Sequence, residues 1–146
     1  IQTKLRDAHE AADVLQETML EIWKSAGTFE GRSAVRTWIF SIARNKAIDR
    51  LRRRPHIVAE PDEPVADDAP SAQAALEAME DGHALRACID ELKDVQRSVI
   101  HLAFFQDLAY AQIAEIENCS EGTVKSRVFH AKRLLLHCLA KVPGAR

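Results

Sequence analysis

From Tyr110 to Leu136 the chain reads YAQIAEIENCSEGTVKSRVFHAKRLLL, and its apolar positions recur at the three-and-four spacing of helices rather than the alternation of strands. A short periodic run, Ala109 to Ile116, ends at Asn118 and Cys119, where a tight turn is predicted. Ser120 can accept a bond from an unpaired backbone N–H, and Glu121 places negative charge at the positive end of a helix dipole, so a second helix is predicted to start near Glu121. Along it Val124, Val128, Ala131, Leu135 and Cys138 fall on one stripe, the expected buried face. Lys125, Ser126, Phe129, His130 and Arg133 lie opposite, able to meet phosphates, base edges or, at Phe129, a thymine methyl or a neighbouring helix. A short helix, a turn and a longer helix with a basic outer face make a helix-turn-helix pattern.

Two further helices are predicted near the N-terminus. In the first, from about Asp13 to Ser25, Leu15, Met19, Ile22, Trp23 and Ala26 form an apolar stripe, and Asp13, Gln16, Glu17 and Lys24 face out. In the second, from about Ala34 to Arg54, the expected inward residues are Val35, Ile39, Ile42, Ala43, Ala47 and Leu51. Its outer side carries Arg36, Ser41, Arg44, Asn45, Asp49, Arg50 and Arg52. With Lys46, Arg53 and Arg54 this is a long positive helix, suited either to a nucleic-acid backbone or simply to solvent. Thr28 to Ser33, TFEGRS, is a loop around Gly31, and Trp38 has helical spacing that fits either a core position or a platform for an unpaired base.

Between these halves the pattern fails. Pro55, Pro61, Pro64 and Pro70 deny a continuous helix, and too few apolar residues occur to form a core, so residues 55–70 are predicted to be a flexible acidic linker. Charge follows the same boundaries. Residues 1–54 hold 11 Lys and Arg against 7 Asp and Glu, residues 55–92 hold 1 against 10, and residues 93–146 hold 8 against 5. Two basic blocks flank an acidic one, so the formal net charge of −2 says little about nucleic-acid binding, which depends on local potential. The expected fold class is all-α: two small helical domains, residues 1–54 and 71–146, joined by the linker.

Other chemistry is thinly represented. No apolar stretch is long enough to span a bilayer, and no signal-type N-terminus precedes the first helix, so a cytoplasmic location without membrane insertion is expected. Cys88, Cys119 and Cys138 are odd in number and far apart, which argues against a disulfide framework, so Cys88 and Cys138 are expected to pack as small hydrophobes. No paired spacing joins these cysteines to His101, His130 or His137, and no metal is expected. Neither a convergent carboxylate motif nor a phosphate-binding glycine loop is present, so no catalytic residue, cofactor or enzymatic activity is expected. The residues alone leave open a transcriptional regulator using only the C-terminal motif and a helical adaptor without DNA.

Two longer segments narrow this choice. DVLQETMLEIWKSAGTFEGRSAVRTWIFSIARNKAIDRLRRR, Asp13 to Arg54, resembles region 2 of the extracytoplasmic-function (ECF) class of bacterial sigma factors, and ELKDVQRSVIHLAFFQDLAYAQIAEIENCSEGTVKSRVFHAKRLL, Glu91 to Leu135, resembles their region 4. Both occur in the family's order. The resemblance implies a factor that binds core RNA polymerase, directs it to promoter DNA, helps open the duplex and is held inactive by an anti-sigma factor. It implies core-polymerase binding by Asp13, Val14, Gln16 and Glu17. It further implies minus-ten recognition by Arg32, Ser33, Asn45 and Asp49, with Arg36, Arg44, Lys46 and Arg50 on the backbone. Minus-thirty-five recognition falls to Lys125, Ser126, Phe129 and His130, with Thr123, Arg127 and Arg133 nearer the phosphates. The family threads the linker through the polymerase cleft, where acidic residues can occupy surfaces meant for nucleic acid. Family members also begin with a further helix, of which only Ile1 to Arg6 is expected here. Asp107 stands where a glycine is common, and is expected to cap the first motif helix.

Overall fold

The first long helix starts earlier than the apolar stripe indicates, because Asp7 caps it. In the computed structural model, which describes residues 1–54 and 82–141, the Asp7 carboxylate accepts the backbone N–H of Glu10 at 2.9 Å. Helix α2 then runs Ala8–Ser25, after a single helical turn, α1, at Gln2–Leu5. A short 3-10 turn at Ala26–Thr28 and the loop containing Gly31, whose φ of 68° suits a residue without a Cβ, lead into α3, Val35–Arg52. The C-terminal half consists of α4 (Gly82–Glu91), α5 (Asp94–Ile100), a π-helical turn (His101–Phe105), α6 (Tyr110–Glu117) and α7 (Glu121–Leu139). No strand occurs among the described residues, and the chain is all-α. The linker predicted at 55–70 lies outside the described residues.

The helix-turn-helix forms where the sequence places it. Asn118 takes the left-handed conformation, φ 51° and ψ 52°, one of the few non-glycine residues that do so readily. The Ser120 hydroxyl accepts the N–H of Thr123 at 3.1 Å. Val124, Val128 and Ala131 are fully buried against Val99, Ile100, Leu108, Ile113 and Ile116, while Leu135 is half-buried at the edge of this core and Cys138 is half-buried against a second cluster with Ala84, Cys88 and Leu139. Asp107 does not cap α6. It supplies the positive φ, 51°, that a glycine would otherwise provide, and the N-cap is Ala109, whose N–H is met by the Gln112 side chain at 3.1 Å.

The N-terminal half departs further from its helical wheel. Ala11, Val14 and Thr18 form the buried face of α2, packed with Leu5 and with Ala47 of α3. The expected stripe is largely outside: Leu15 is 52% exposed, Met19 60% and Trp23 84%. On α3, Ala47 is buried as expected, but Val35 is exposed and Thr37 takes an inward place. Helix α2 is apolar on two sides. A helical wheel selects the side with the larger residues, whereas close approach to α3 selects the smaller ones.

The cysteine expectation is overturned. Cys88 and Cys138 form a disulfide between α4 and the C-terminal end of α7, with Cα atoms 5.8 Å apart, and only Cys119 is free. They are 50 positions apart in the chain, but the packing of α4 on α7 that buries Ala84 with Leu139 brings them side by side.

Candidate nucleic-acid interface

Along α7 the opposite side from the core presents Lys125, Ser126 and Phe129 to solvent, with Thr123, Arg127, His130 and Arg133 partly covered around them. Val124 and Val128 lock the register of this helix, so its outward residues turn as a rigid set. Phe129 is 59% exposed. It meets the His130 ring edge-on at 5.6 Å and lies 5.9 Å from the Arg133 guanidinium carbon. Lys125 pairs with Glu121 one turn away at 3.1 Å, an exposed contact that is easily exchanged for a phosphate. Thr123 is turned toward the cap, its hydroxyl 2.8 Å from that of Ser120, and Arg127 approaches the Cys119 sulfur.

In the N-terminal half the candidate minus-ten residues divide into three groups. Asn45 and Asp49 are exposed on α3, and Arg32 is exposed in the preceding loop, where it pairs with Glu30. Lys46 and Arg50 reach α2, Lys46 to Glu21 at 3.0 Å and Arg50 to Glu17 at 2.6 Å and Asp13 at 4.0 Å. Arg36 and Arg44 turn to the C-terminal half: Arg36 donates to Gln106 at 2.8 Å, and Arg44 to the Glu117 carbonyl at 3.1 Å. Ser33 is half-buried, and Trp38, also half-buried, lies against Phe29 with ring centroids 4.9 Å apart.

Of the residues assigned to polymerase docking, Asp13, Gln16 and Glu17 are exposed on α2. Val14 is not. It is 0% exposed and sits in the α1–α2–α3 core, where no partner can reach it without unfolding the helix pair. In its place the outer surface of α2 offers Leu20 and Trp23, while Leu15, Met19 and Ile22 border a cleft of about 570 Å³ between the two halves.

Four charged or polar residues that the sequence reading passed over lie at the contact between the halves. Glu117, at the C-terminal end of α6, is buried. Its carboxylate accepts Lys4 Nζ at 3.1 Å and the Ser98 hydroxyl, and stands 3.7 Å from Arg44 Nε. Burial holds the Lys4 ammonium below its ordinary pKa, against the pull of Glu117 in the other direction. Arg97, also buried, donates to the Thr3 carbonyl at 2.8 Å and to Leu92 at 3.0 Å. A signal for Glu117 exists in the sequence, since it lies four residues after Ile113, in register with the core side of α6.

Among the described residues no helix is long and apolar enough to cross a membrane, and no cluster of three metal-ligating side chains occurs.

Comparison with known proteins covers both halves. The Sigma-70 region 2 family matches residues 1–56, and Sigma-70 region 4 matches residues 82–135. The chain is 36% identical over 126 residues to the ECF RNA polymerase sigma factor RpoE of Cereibacter sphaeroides, covering 83% of this chain and 67% of that protein. It is 30% identical over 140 residues to the ECF sigma factor SigK of Mycolicibacterium vanbaalenii, covering 92% and 71%. Among solved structures, the sigma factor RpoE in complex with the anti-sigma factor NepR from Bartonella quintana has a TM-score of 0.70 at 24% identity, over 96% of this chain and 87% of that one. CnrH in complex with the cytosolic domain of CnrY has a TM-score of 0.60 at 22% identity, over 94% and 75%. These two likenesses show a shared fold, and with the sequence matches to both regions they establish that the chain belongs to the extracytoplasmic-function sigma factors of bacterial RNA polymerase.

Proposed function

We propose a division of labour along this chain for the family's task of binding core RNA polymerase and directing it to promoters. Residues 1–54 dock on the polymerase through Asp13, Gln16, Glu17 and the exposed apolar residues of α2. They read and melt the minus-ten element through Arg32, Ser33, Asn45 and Asp49, with Arg36, Arg44, Lys46 and Arg50 holding the backbone. The C-terminal half, 71–146, lays α7 on the minus-thirty-five element through Lys125, Ser126, Phe129 and His130, with Thr123, Arg127 and Arg133 toward the phosphates. One observation carries this reading: α7 has an inner face buried at Val124, Val128 and Ala131 and an outward set that combines a cation, a small hydroxyl and a solvent-exposed aromatic ring. The match to both regions favours it over a regulator that works without polymerase.

Opening a promoter without a fuel molecule requires that the few kcal/mol lost for each extruded base be offset by binding that exists only in the melted state. The loop around Gly31 and the adjacent side of α3 would supply that binding, while α7 holds the duplex in register. The function needs no catalytic residue, so the chain is not an enzyme in this reading. It acts in the cytoplasm, where its polymerase and promoters are, and an anti-sigma protein holds it inactive.

Substitutions separate these roles. Lys125→Ala is expected to weaken promoter binding on all sequences and to reduce the slope of log affinity against log salt by about one. Ser126→Ala and Phe129→Ala should instead alter base preference. Salt titrations on matched and mismatched promoters check this, and identical behaviour of the three variants would sink the assignment. The double change Asn45→Ala with Asp49→Ala should spare polymerase binding but impair melting, as read by permanganate footprinting; full melting by that variant would remove both residues from the minus-ten site.

A further inference from the structure

The fold gives no reason for a glycine at position 122. Gly122 is the second residue of α7 and is exposed, and glycine is among the poorest helix formers. Its φ is not positive, unlike that of Gly31. A Cβ placed there would meet only the Ser120 Oγ, at 3.7 Å, which is an ordinary van der Waals contact. The cap runs from the Thr123 N–H to the Ser120 hydroxyl and is indifferent to the residue between them. Among the described residues, then, neither a turn nor close packing calls for the missing side chain.

The position of Gly122 on the helix supplies a reason outside the chain. At about 100° per residue, Gly122, Ser126, Phe129 and Arg133 fall within about 60° of one another, on the side turned away from Val124, Val128 and Ala131. Gly122 and Ser126 are neighbours one turn apart, and both are exposed. Recognition helices of this motif touch base edges through their N-terminal residues, so the first turns of α7 lie deepest in the groove. Ser126 has one of the shortest side chains able to bond to a base edge. Its hydroxyl reaches an edge only when the helix backbone itself comes close to the groove floor, and a side chain at position 122 would hold that backbone away.

We propose that Gly122 sets the depth at which α7 enters the major groove of the minus-thirty-five element, and so is a positioning residue for the base contacts of Ser126 and Phe129. The inference rests on the assignment of α7 to that element and adds a steric requirement to it. Space that is open in the free protein is filled by DNA in the complex, so a larger residue is accepted by the first and resisted by the second. Lifting the helix breaks the short contacts to base edges before the long, flexible ones that Arg127 and Arg133 extend toward phosphates. The loss therefore falls on discrimination between sequences as well as on affinity.

The test compares Gly122→Ala and Gly122→Leu with the unaltered full chain, each assembled with core polymerase. The DNA is a promoter selected by the unaltered holoenzyme from a randomised library, together with copies changed at single positions of its upstream element. Thermal unfolding of the free Gly122→Ala chain is expected at the same temperature or a few degrees higher, since alanine is the better helix former. Affinity for the selected promoter should fall by about tenfold or more, the equivalent of losing one or two base contacts, and further for leucine. Affinity for the mismatched copies should fall much less, so that discrimination shrinks. Unchanged affinity for the selected promoter overturns the proposal. An equal loss on every sequence overturns it too, because base contacts would then not depend on this position, and a lowered melting temperature for Gly122→Ala would show that the fold itself needs the glycine. Lys125→Ala in the same assay separates the two levels of the argument. If it weakens binding while Gly122→Ala does not, only the depth assignment fails; if neither variant has an effect, the placement of α7 on the minus-thirty-five element fails with it.

Discussion

Val14→Asp is expected to unfold the α1–α2–α3 unit, whereas the same charge at Leu20 leaves the fold intact and lowers affinity for core polymerase by at least about tenfold, or about 1.4 kcal/mol. Val14 is fully buried in an apolar cluster with Leu5, Ala11 and Ala47. An unpaired buried charge costs several kcal/mol, a large part of the roughly 5–15 kcal/mol that holds a typical domain folded. Leu20, 60% exposed on the outer surface of α2, has no such surroundings, and surface changes of this kind commonly move stability by no more than about 0.5 kcal/mol. Thermal unfolding followed by circular dichroism measures the first effect, and co-elution with core polymerase measures the second. A stable Val14→Asp variant that has lost only polymerase binding would return Val14 to the docking surface.

Reduction of the Cys88–Cys138 disulfide is expected to lower the melting temperature of region 4 by about 10 °C or more. The bond closes a loop of 50 residues around the whole C-terminal core, and in the chain-entropy account a loop of that length contributes about 4 kcal/mol by restricting the unfolded chain. For a domain of this size each kcal/mol shifts the midpoint by about 4–8 °C, so even half of that contribution is measurable. Differential scanning calorimetry with and without reductant gives the shift, and Cys138→Ser should match the reduced protein. Coincident melting curves would show that the packing of α4 on α7 is sufficient without the bond.

The helix-turn-helix was legible because each of its determinants is local. Asn118 admits the left-handed turn, Ser120 caps the following helix, and Val124, Val128 and Ala131 repeat at the helical period, so no distant residue is needed to specify them. The outward set of α7 follows from the same register. The orientation of α2 was not legible in this way, because both of its candidate faces are apolar by composition. The choice fell to Ala11, Val14 and Thr18, which are small enough to let α2 approach α3. Hence Val14, read as a docking residue, lies inside, and Leu15, Met19 and Trp23, read as core, lie largely outside.

Local order and family membership were thus written in the sequence by itself: capping residues, helical periodicity, the segregation of charge, and two motifs in the right order. Tertiary structure alone decided which residues meet across long separations. It joined Cys88 to Cys138 over 50 residues and Lys4 to Glu117 over 113, and it brought Arg36 and Arg44 into contact with Gln106 and Glu117 of region 4. The physical reason is that periodicity fixes a side chain's angle around its own helix, whereas its partner is set by how helices distant in the chain pack together to remove apolar surface from water.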